Sequence, residues 1–227
     1  MRILFMGTPA FAAEVLRAID EKEGTEIVGA VARPDKPQGR GMKLVPPPVK
    51  EYAEARGIPV FQPKTLRDGA FQTVLDELKP ELIVTAAYGN ILPPYVLDFP
   101  VYGCVNAHGS LLPKYRGAAP IQRAIMDGET VTGITAMFMD EGLDTGDMIA
   151  QYPCPIGEDD DGGTLTEKLA RLAGKAMSTS STGSRTAPSS VRRSRGRVPP
   201  TRRRSGARTR SSIFRLPRRP SSIRSAP

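Results

Sequence analysis

Residues 105–113 read Val-Asn-Ala-His-Gly-Ser-Leu-Leu-Pro and hold the chain's one histidine, His108, and the one serine of residues 1–176, Ser110. A strand-like run, residues 102–105, leads in, and Gly109 and Pro113 break the chain into a loop beyond His108. Asn106 and His108 are two apart, so on a strand both side chains leave the same face. An imidazole moves protons near neutral pH, and an amide N–H stabilises a developing oxyanion, so the pair suits acyl transfer. A histidine that merely hydrogen-bonds at a strand end has the same spacing, and the dipeptide alone does not separate the two.

The elements that would position this pair are legible as apolar runs. Residues 2–6 predict a buried strand ending in Gly7-Thr8-Pro9, and Phe11, Val15, Leu16 and Ile19 lie on one stripe of a helix over residues 10–22. Residues 27–32 predict the next strand. This strand–helix–strand order implies a parallel sheet with right-handed crossovers. Gly7 lacks the three-glycine fingerprint of a dinucleotide site and reads as a tight first turn. Helices are expected over residues 49–56, 71–78 and 119–126, the last with Pro120 in its first turn. Strands are expected at Val60 and over residues 82–86, 134–139 and 148–152. After residues 158–163, a turn, Thr164 and Glu167 have capping-box spacing at the start of a further helix. The fold class is therefore α/β, a doubly wound, mostly parallel sheet, and Tyr88-Gly89-Asn90-Ile91-Leu92-Pro93 would sit at a strand's carboxyl end, where such sheets bind ligands.

Two loops stand out by charge. Residues 33–48 carry Arg33, Lys36, Arg40 and Lys43 among prolines and glycines that argue against regular structure. A cationic loop of this kind suits phosphate contacts, although a solvated loop has the same composition. Residues 140–147 form a glycine-punctuated acidic loop whose carboxylates must meet a cation or hydrogen bonds.

The formal charge of +8 hides a split. Residues 1–176 hold 18 Lys and Arg against 24 Asp and Glu, whereas residues 177–227 hold fourteen Arg and no Lys, Asp or Glu. Thirteen serines and no apolar period in that tail predict disorder. One reading is a polybasic arm for RNA. The reading we favour is a shifted frame: back-translated one base earlier with GC-rich codons, residues 177–187 give Asp-Val-Asp-Val-Ile-Asp-Arg-Leu-Glu-Asp-Gly, an amphipathic helix ending in glycine. Cys104 and Cys154 read as isolated reduced thiols of a cytoplasmic protein, no Cys/His cluster suggests a metal, and the apolar start is too short for a signal peptide or membrane span.

Further motifs continue the 105–113 stretch: Lys-Tyr-Arg-Gly-Ala-Ala-Pro at residues 114–120 and Met-Asp-Glu-Gly-Leu-Asp-Thr-Gly-Asp-Met at residues 139–148. Over residues 1–176 the chain resembles the formyltransferases that use 10-formyltetrahydrofolate, most closely the branch acting on initiator methionyl-tRNA in translation initiation. The resemblance implies a Rossmann-like catalytic domain at 1–176, with 177–227 outside it and the family's C-terminal tRNA-binding domain missing. It implies catalytic roles for Asn106, His108 and Asp144. It implies a folate site at Ser110, Leu111, Leu112 and Pro113, walled by Ile91 and Leu92, with Arg116 and Gly117 shaping the loop beyond. Gly39-Arg40-Gly41 matches the family's tRNA-contacting insertion, so Arg40 inherits the leading contact, with Lys43, Arg33 and Lys36 beside it. The expected partners are folate and initiator methionyl-tRNA, bound by a monomer away from membranes. Formyl transfer to another amine, a purine precursor or an amino sugar, uses the same chemistry, and a non-catalytic RNA-binding protein is the rival from another class.

Overall fold

The computed structural model describes residues 1–39 and 41–183. Strands β1 (Arg2–Gly7), β2 (Glu26–Val31), β5 (Val60–Phe61), β6 (Leu82–Ala86), β7 (Cys104–His108), β8 (Val131–Phe138) and β9 (Met148–Pro155) form one sheet in the order β5-β2-β1-β6-β7-β8-β9. The pairings from β5 to β7 are parallel, and β8 and β9 close one side as antiparallel strands. Helices α1 (Ala10–Asp20), α2 (Pro48–Ala55), α3 (Gln72–Leu78), α4 (Pro94–Leu97), α5 (Pro120–Met126) and α6 (Gly162–Gly183) connect and cover the strands. This is the doubly wound, mostly parallel α/β fold that the apolar runs predict. Among the described residues no helix is long and apolar enough to cross a membrane.

Parallel strands buried on both faces must be apolar at every position, and alternate side chains then enter different cores. In β1, Ile3 and Phe5 pack with α1, α2 and α6, while Leu4 and Met6 pack with Leu75 of α3 and Val96 of α4. All four are fully buried. Gly7 ends β1 because a Cβ there would lie 2.6 Å from that of Ala12 and 2.8 Å from the Ala86 carbonyl. Its role is close packing of helix on sheet, in keeping with the tight turn expected.

Three local expectations need correction. Residues 33–48 are not devoid of regular structure: β3 (Lys36–Gln38) and β4 (Lys43–Val45) pair as an antiparallel ribbon. Pro37 is tolerated because both strands of a two-stranded ribbon are edges, and the turn runs through Gly39 and Met42, both at positive φ. The strand entering the site begins at Cys104 rather than Tyr102, and it runs on through His108. The cap of α6 is Asp161, three residues before the expected Thr164: its Oδ1 accepts from the Gly163 and Thr164 amides, both at 2.8 Å, and Thr164 Oγ1 accepts from the Asp161 amide at 3.0 Å. The capping box is present, with threonine in the position usually held by Glu or Gln.

The composition break at Ala176 falls inside α6, whose Met177 is 2% exposed and belongs to the same core as Leu165 and Leu169. The disorder expected from residue 177 onward does not hold for residues 177–183, which continue α6, its Met177 buried in the core; over residues 184–227 that expectation lies outside the described residues, as does most of the stretch read as a shifted frame.

Two measurements check this packing. Leu169→Ala should cost about 2–5 kcal/mol in urea denaturation, since Leu169 is fully buried. Lys168, the Gly157 amide and Thr164 hold the Asp160 carboxyl down at about 2, and backbone N–H groups lower Asp161 as well. Lowered folded-state values stabilise above the unfolded range, about 4, and that stabilisation is lost as pH falls further. Asp161→Ala should therefore lower Tm at neutral pH, and its gap from wild type should shrink as pH drops below about 4.

Candidate functional site

The chain crosses from β2's side of β1 to β6 on the other, so the sheet reverses its winding between β1 and β6. Loops after these two strands diverge and leave a crevice at their carboxyl ends. β7 lies next to β6 and delivers Asn106 and His108 to the same edge.

Asn106 pairs in register with Thr85 of β6. The Thr85 hydroxyl donates to Asn106 Oδ1 at 2.8 Å. The carbonyl side of the amide is thus held, and among the described residues nothing accepts from its Nδ2. A fixed amide with free N–H groups is a preorganised donor for a developing oxyanion.

His108 is 5% exposed. Its Nε2 lies 2.9 Å from the Tyr115 carbonyl, which only accepts, so Nε2 carries a proton. Nδ1 faces Asp144 Oδ2 at 3.5 Å, longer than a formed hydrogen bond. An imidazolium would donate to both oxygens, whereas a neutral ring with its proton on Nε2 presents a lone pair to the carboxylate. Asp144 Oδ2 also accepts from the Gly117 amide at 2.8 Å, and Asp144 holds φ 51°. Aspartate tolerates that left-handed conformation better than most residues, and such outliers cluster at functional sites. Nearby, Asp140 Oδ1 accepts from the Gly142 amide at 3.0 Å and from the Thr145 hydroxyl at 2.8 Å, so this carboxylate of the acidic loop is met by hydrogen bonds.

The loop after His108 is fastened from below. Ser110 is fully buried and donates to the Lys114 carbonyl at 2.6 Å. Thr135, opposite His108 across β7–β8, donates to the Ser110 carbonyl at 2.7 Å and accepts from the Leu112 amide at 3.1 Å. Gln151 donates to the Leu112 carbonyl at 2.8 Å. Lys114 and the Tyr115 hydroxyl share Glu129 Oε1, which holds the Glu129 carboxyl below its usual range. Thr85, Thr135, Gln151 and Glu129 carry no signal in the sequence, because what marks them is strand register, visible only once the sheet is built.

An open pocket beside Asp144 is lined by Leu112, Pro113, Arg116 and residues 144–148. Of the expected folate residues, Leu112 and Pro113 reach it. Leu111 is half-buried, Ser110 lies beneath the surface, Leu92 is 2% exposed within the core, and Ile91 is 65% exposed. The expected cationic residues separate as well. Lys36 and Lys43 are exposed on the β3–β4 ribbon and have no ion-pair partner among the described residues. Arg33 is turned onto the loop after β6, donating through Nη2 to the Gly89 carbonyl and, at 3.0 Å, to Asn90 Oδ1. Arg40 lies outside the described residues.

The formyl transferase family model matches residues 1–180. The chain is 53% identical over 177 residues to a methionyl-tRNA formyltransferase of Pelotomaculum thermopropionicum, covering 78% of this chain and 56% of that protein. A methionyl-tRNA formyltransferase of Marinobacter nauticus is 54% identical over 177 residues, with 78% and 57% covered. The chain thus spans somewhat more than half the length of these curated relatives. Among solved structures, a phosphoribosylglycinamide formyltransferase from Bacillus halodurans aligns with TM-score 0.62 and 26% identity, over 79% of this chain and 97% of that one. One from Anaplasma phagocytophilum, at TM-score 0.66, 23% identity and coverage of 80% and 85%, shares the fold. The chain belongs to the formyl transferase family.

The Asp144–Gly117 bond makes a direct prediction. Asp144→Ala removes the acceptor of the Gly117 amide, so that amide should exchange with deuterium at least about tenfold faster, given the roughly 1.5–3 kcal/mol contribution of a hydrogen bond to a charged group. Unchanged exchange would mean that the carboxylate does not hold the loop.

Proposed function

We propose that this chain transfers a formyl group from 10-formyltetrahydrofolate to the amino group of methionyl initiator tRNA. The observation that carries the reading is the Asn106 amide, fixed through its carbonyl by Thr85, on the same strand face as a histidine backed by Asp144. Identities of 53–54% to methionyl-tRNA formyltransferases, against 26% to the phosphoribosylglycinamide enzyme from Bacillus halodurans, support the tRNA substrate over a purine precursor.

In this reaction the amine nitrogen attacks the formyl carbon, a C–N bond forms, and the carbonyl oxygen becomes an oxyanion. Asn106 Nδ2 donates to that oxyanion. His108 takes up the proton released by the amine at Nδ1, the ring nitrogen without a formed bond to Asp144, so that it carries charge beside the oxyanion, and passes that proton toward the folate nitrogen as the old C–N bond breaks. Asp144 keeps the imidazole oriented, as a carboxylate partner does in other acyl-transfer sites. Leu112 and Pro113, with Ser110 and Leu111 supporting them, form the folate side, while Ile91 is exposed on the loop after β6 and Leu92 packs in the core. Phosphates of the tRNA meet Lys36 and Lys43 on the ribbon, with Arg40 as a further contact, and Arg33 acts at the ribbon's base.

Three measurements test the proposal. His108→Ala and Asn106→Ala should each lower formyl transfer by about a hundredfold or more, with unchanged circular dichroism. Wild-type rates in either folded variant sink the assignment. Arg40→Ala should raise the KM for tRNA and leave folate affinity unchanged, and saturation by a glycinamide ribonucleotide in place of tRNA would favour the other amine. Removing residues 184–227, which carry fourteen arginines and no acid, should leave folate binding intact and abolish only RNA binding that falls steeply with salt.

A further inference from the structure

Lys36 and Lys43 project into solvent from a ribbon whose two strands pair only with each other. The ribbon's direction is therefore set at its base, where the chain leaves near Asp35 and returns near Lys50. There Lys50 Nζ donates to Asp35 Oδ1 at 3.0 Å, Asp35 Oδ2 at 2.9 Å and Gln62 Oε1 at 3.0 Å. An ammonium has three protons, so its donors are all engaged. Gln62, which directly follows β5, returns both amide protons, one to Asp35 Oδ1 at 2.7 Å and one to the Arg33 carbonyl at 2.8 Å. The Lys50 and Asp35 side chains are 19% and 26% exposed, so the pair is more sheltered than an ordinary surface bridge. Lys50 and Gln62 hold the Asp35 carboxyl below its usual range, as such a closed set requires.

We propose that Asp35, Lys50 and Gln62 are positioning residues for RNA binding, a clasp that fixes the exit and re-entry of the cationic ribbon so that Lys36 and Lys43 meet phosphates. The inference rests on the reading of the ribbon as the RNA-contacting element. The rival is that Lys50 itself is one more phosphate ligand in a basic surface.

The sign of one substitution separates the two. Removing an acid from a cationic surface strengthens RNA binding if charge alone matters. Asp35→Asn also leaves an amide N–H facing the donors of Lys50 or Gln62, and the clasp opens. Affinity of the full chain for a tRNA transcript, measured by fluorescence anisotropy at fixed salt, should therefore fall about three- to tenfold in Asp35→Asn, the range expected of coupled neighbours. Lys50→Met should fall similarly, the double variant should be no worse than either single one, and Lys50→Arg should recover part of the loss. The tail is common to all variants, so differences read the ribbon, and unchanged folate affinity shows that the domain is folded. Tighter RNA binding by Asp35→Asn overturns the proposal.

A second measurement needs no RNA. Trypsin cleaves after Arg40 and Lys43, Lys36 being shielded by the proline that follows it, and an opened clasp should speed that cleavage about tenfold in Asp35→Asn, Lys50→Met and Gln62→Leu. Equal cleavage rates overturn the proposal. If the wild-type chain binds no tRNA, the RNA reading fails, and the tryptic rates still decide whether the clasp holds the ribbon.

Discussion

Burial of the central strands on both faces is the constraint on which the rest of the site depends. Ile3, Leu4, Phe5 and Met6 in β1, and Leu82, Ile83 and Val84 in β6, leave no room for an unsatisfied polar group along these two strands. Reactive side chains must therefore appear where strands end. In β7 this happens within five residues: Cys104 and Val105 are core, Asn106 is half-buried, and His108 terminates the strand at the mouth of the crevice. The antiparallel pairing of β8 beside β7 then supplies Thr135 opposite His108, and with it the anchor of the loop that carries Ser110 and Leu112.

A site at such an edge needs a satisfied underside. The Ser110 and Thr135 hydroxyls and the Leu112 amide bond to one another or to backbone carbonyls with nothing left for solvent. The groups that face the crevice are treated differently. The Asn106 N–H groups have no acceptor among the described residues, and the 3.5 Å separation of His108 from Asp144 leaves a bond that a proton on Nδ1 would draw tighter. In the proposed reaction, a contact that is loose before substrate binds and tightens as charge develops contributes to the transition state more than to the resting state.

Much of this is readable in the chain. Uninterrupted apolar runs mark the parallel strands, the i, i+2 spacing puts Asn106 and His108 on one face, and Pro120 marks the start of α5. What escapes has physical reasons. The ribbon at residues 36–45 consists of two three-residue strands, too short for any periodicity, and prolines obscure it. The α6 cap is displaced because an aspartate three residues upstream competes for the same amides. Thr85, Thr135 and the Asp35–Lys50–Gln62 set lie 12 to 29 residues from the groups they hold, and their importance arises from register and from chain crossings that local pattern does not encode.

Charge distribution bears on the ribbon as well. Residues 1–176 carry an excess of six negative charges, so the domain as a whole repels a polyanion. Repulsion between exposed charges is screened beyond roughly 8–10 Å in physiological salt. Contact therefore depends on cations that stand clear of the acidic body rather than on the sum over the domain. The exposed lysines of the ribbon meet that requirement, while Arg33 and Lys50 are held by hydrogen bonds at its base and, in the proposed clasp, define where the ribbon points. A net-negative domain with a fixed cationic ribbon would accept RNA in a restricted set of orientations. The proposed reaction, which must bring one amine at the end of a large polyanion to Asn106 and His108, depends on that restriction, because misorientation of the two reactants costs rate even when affinity is unchanged.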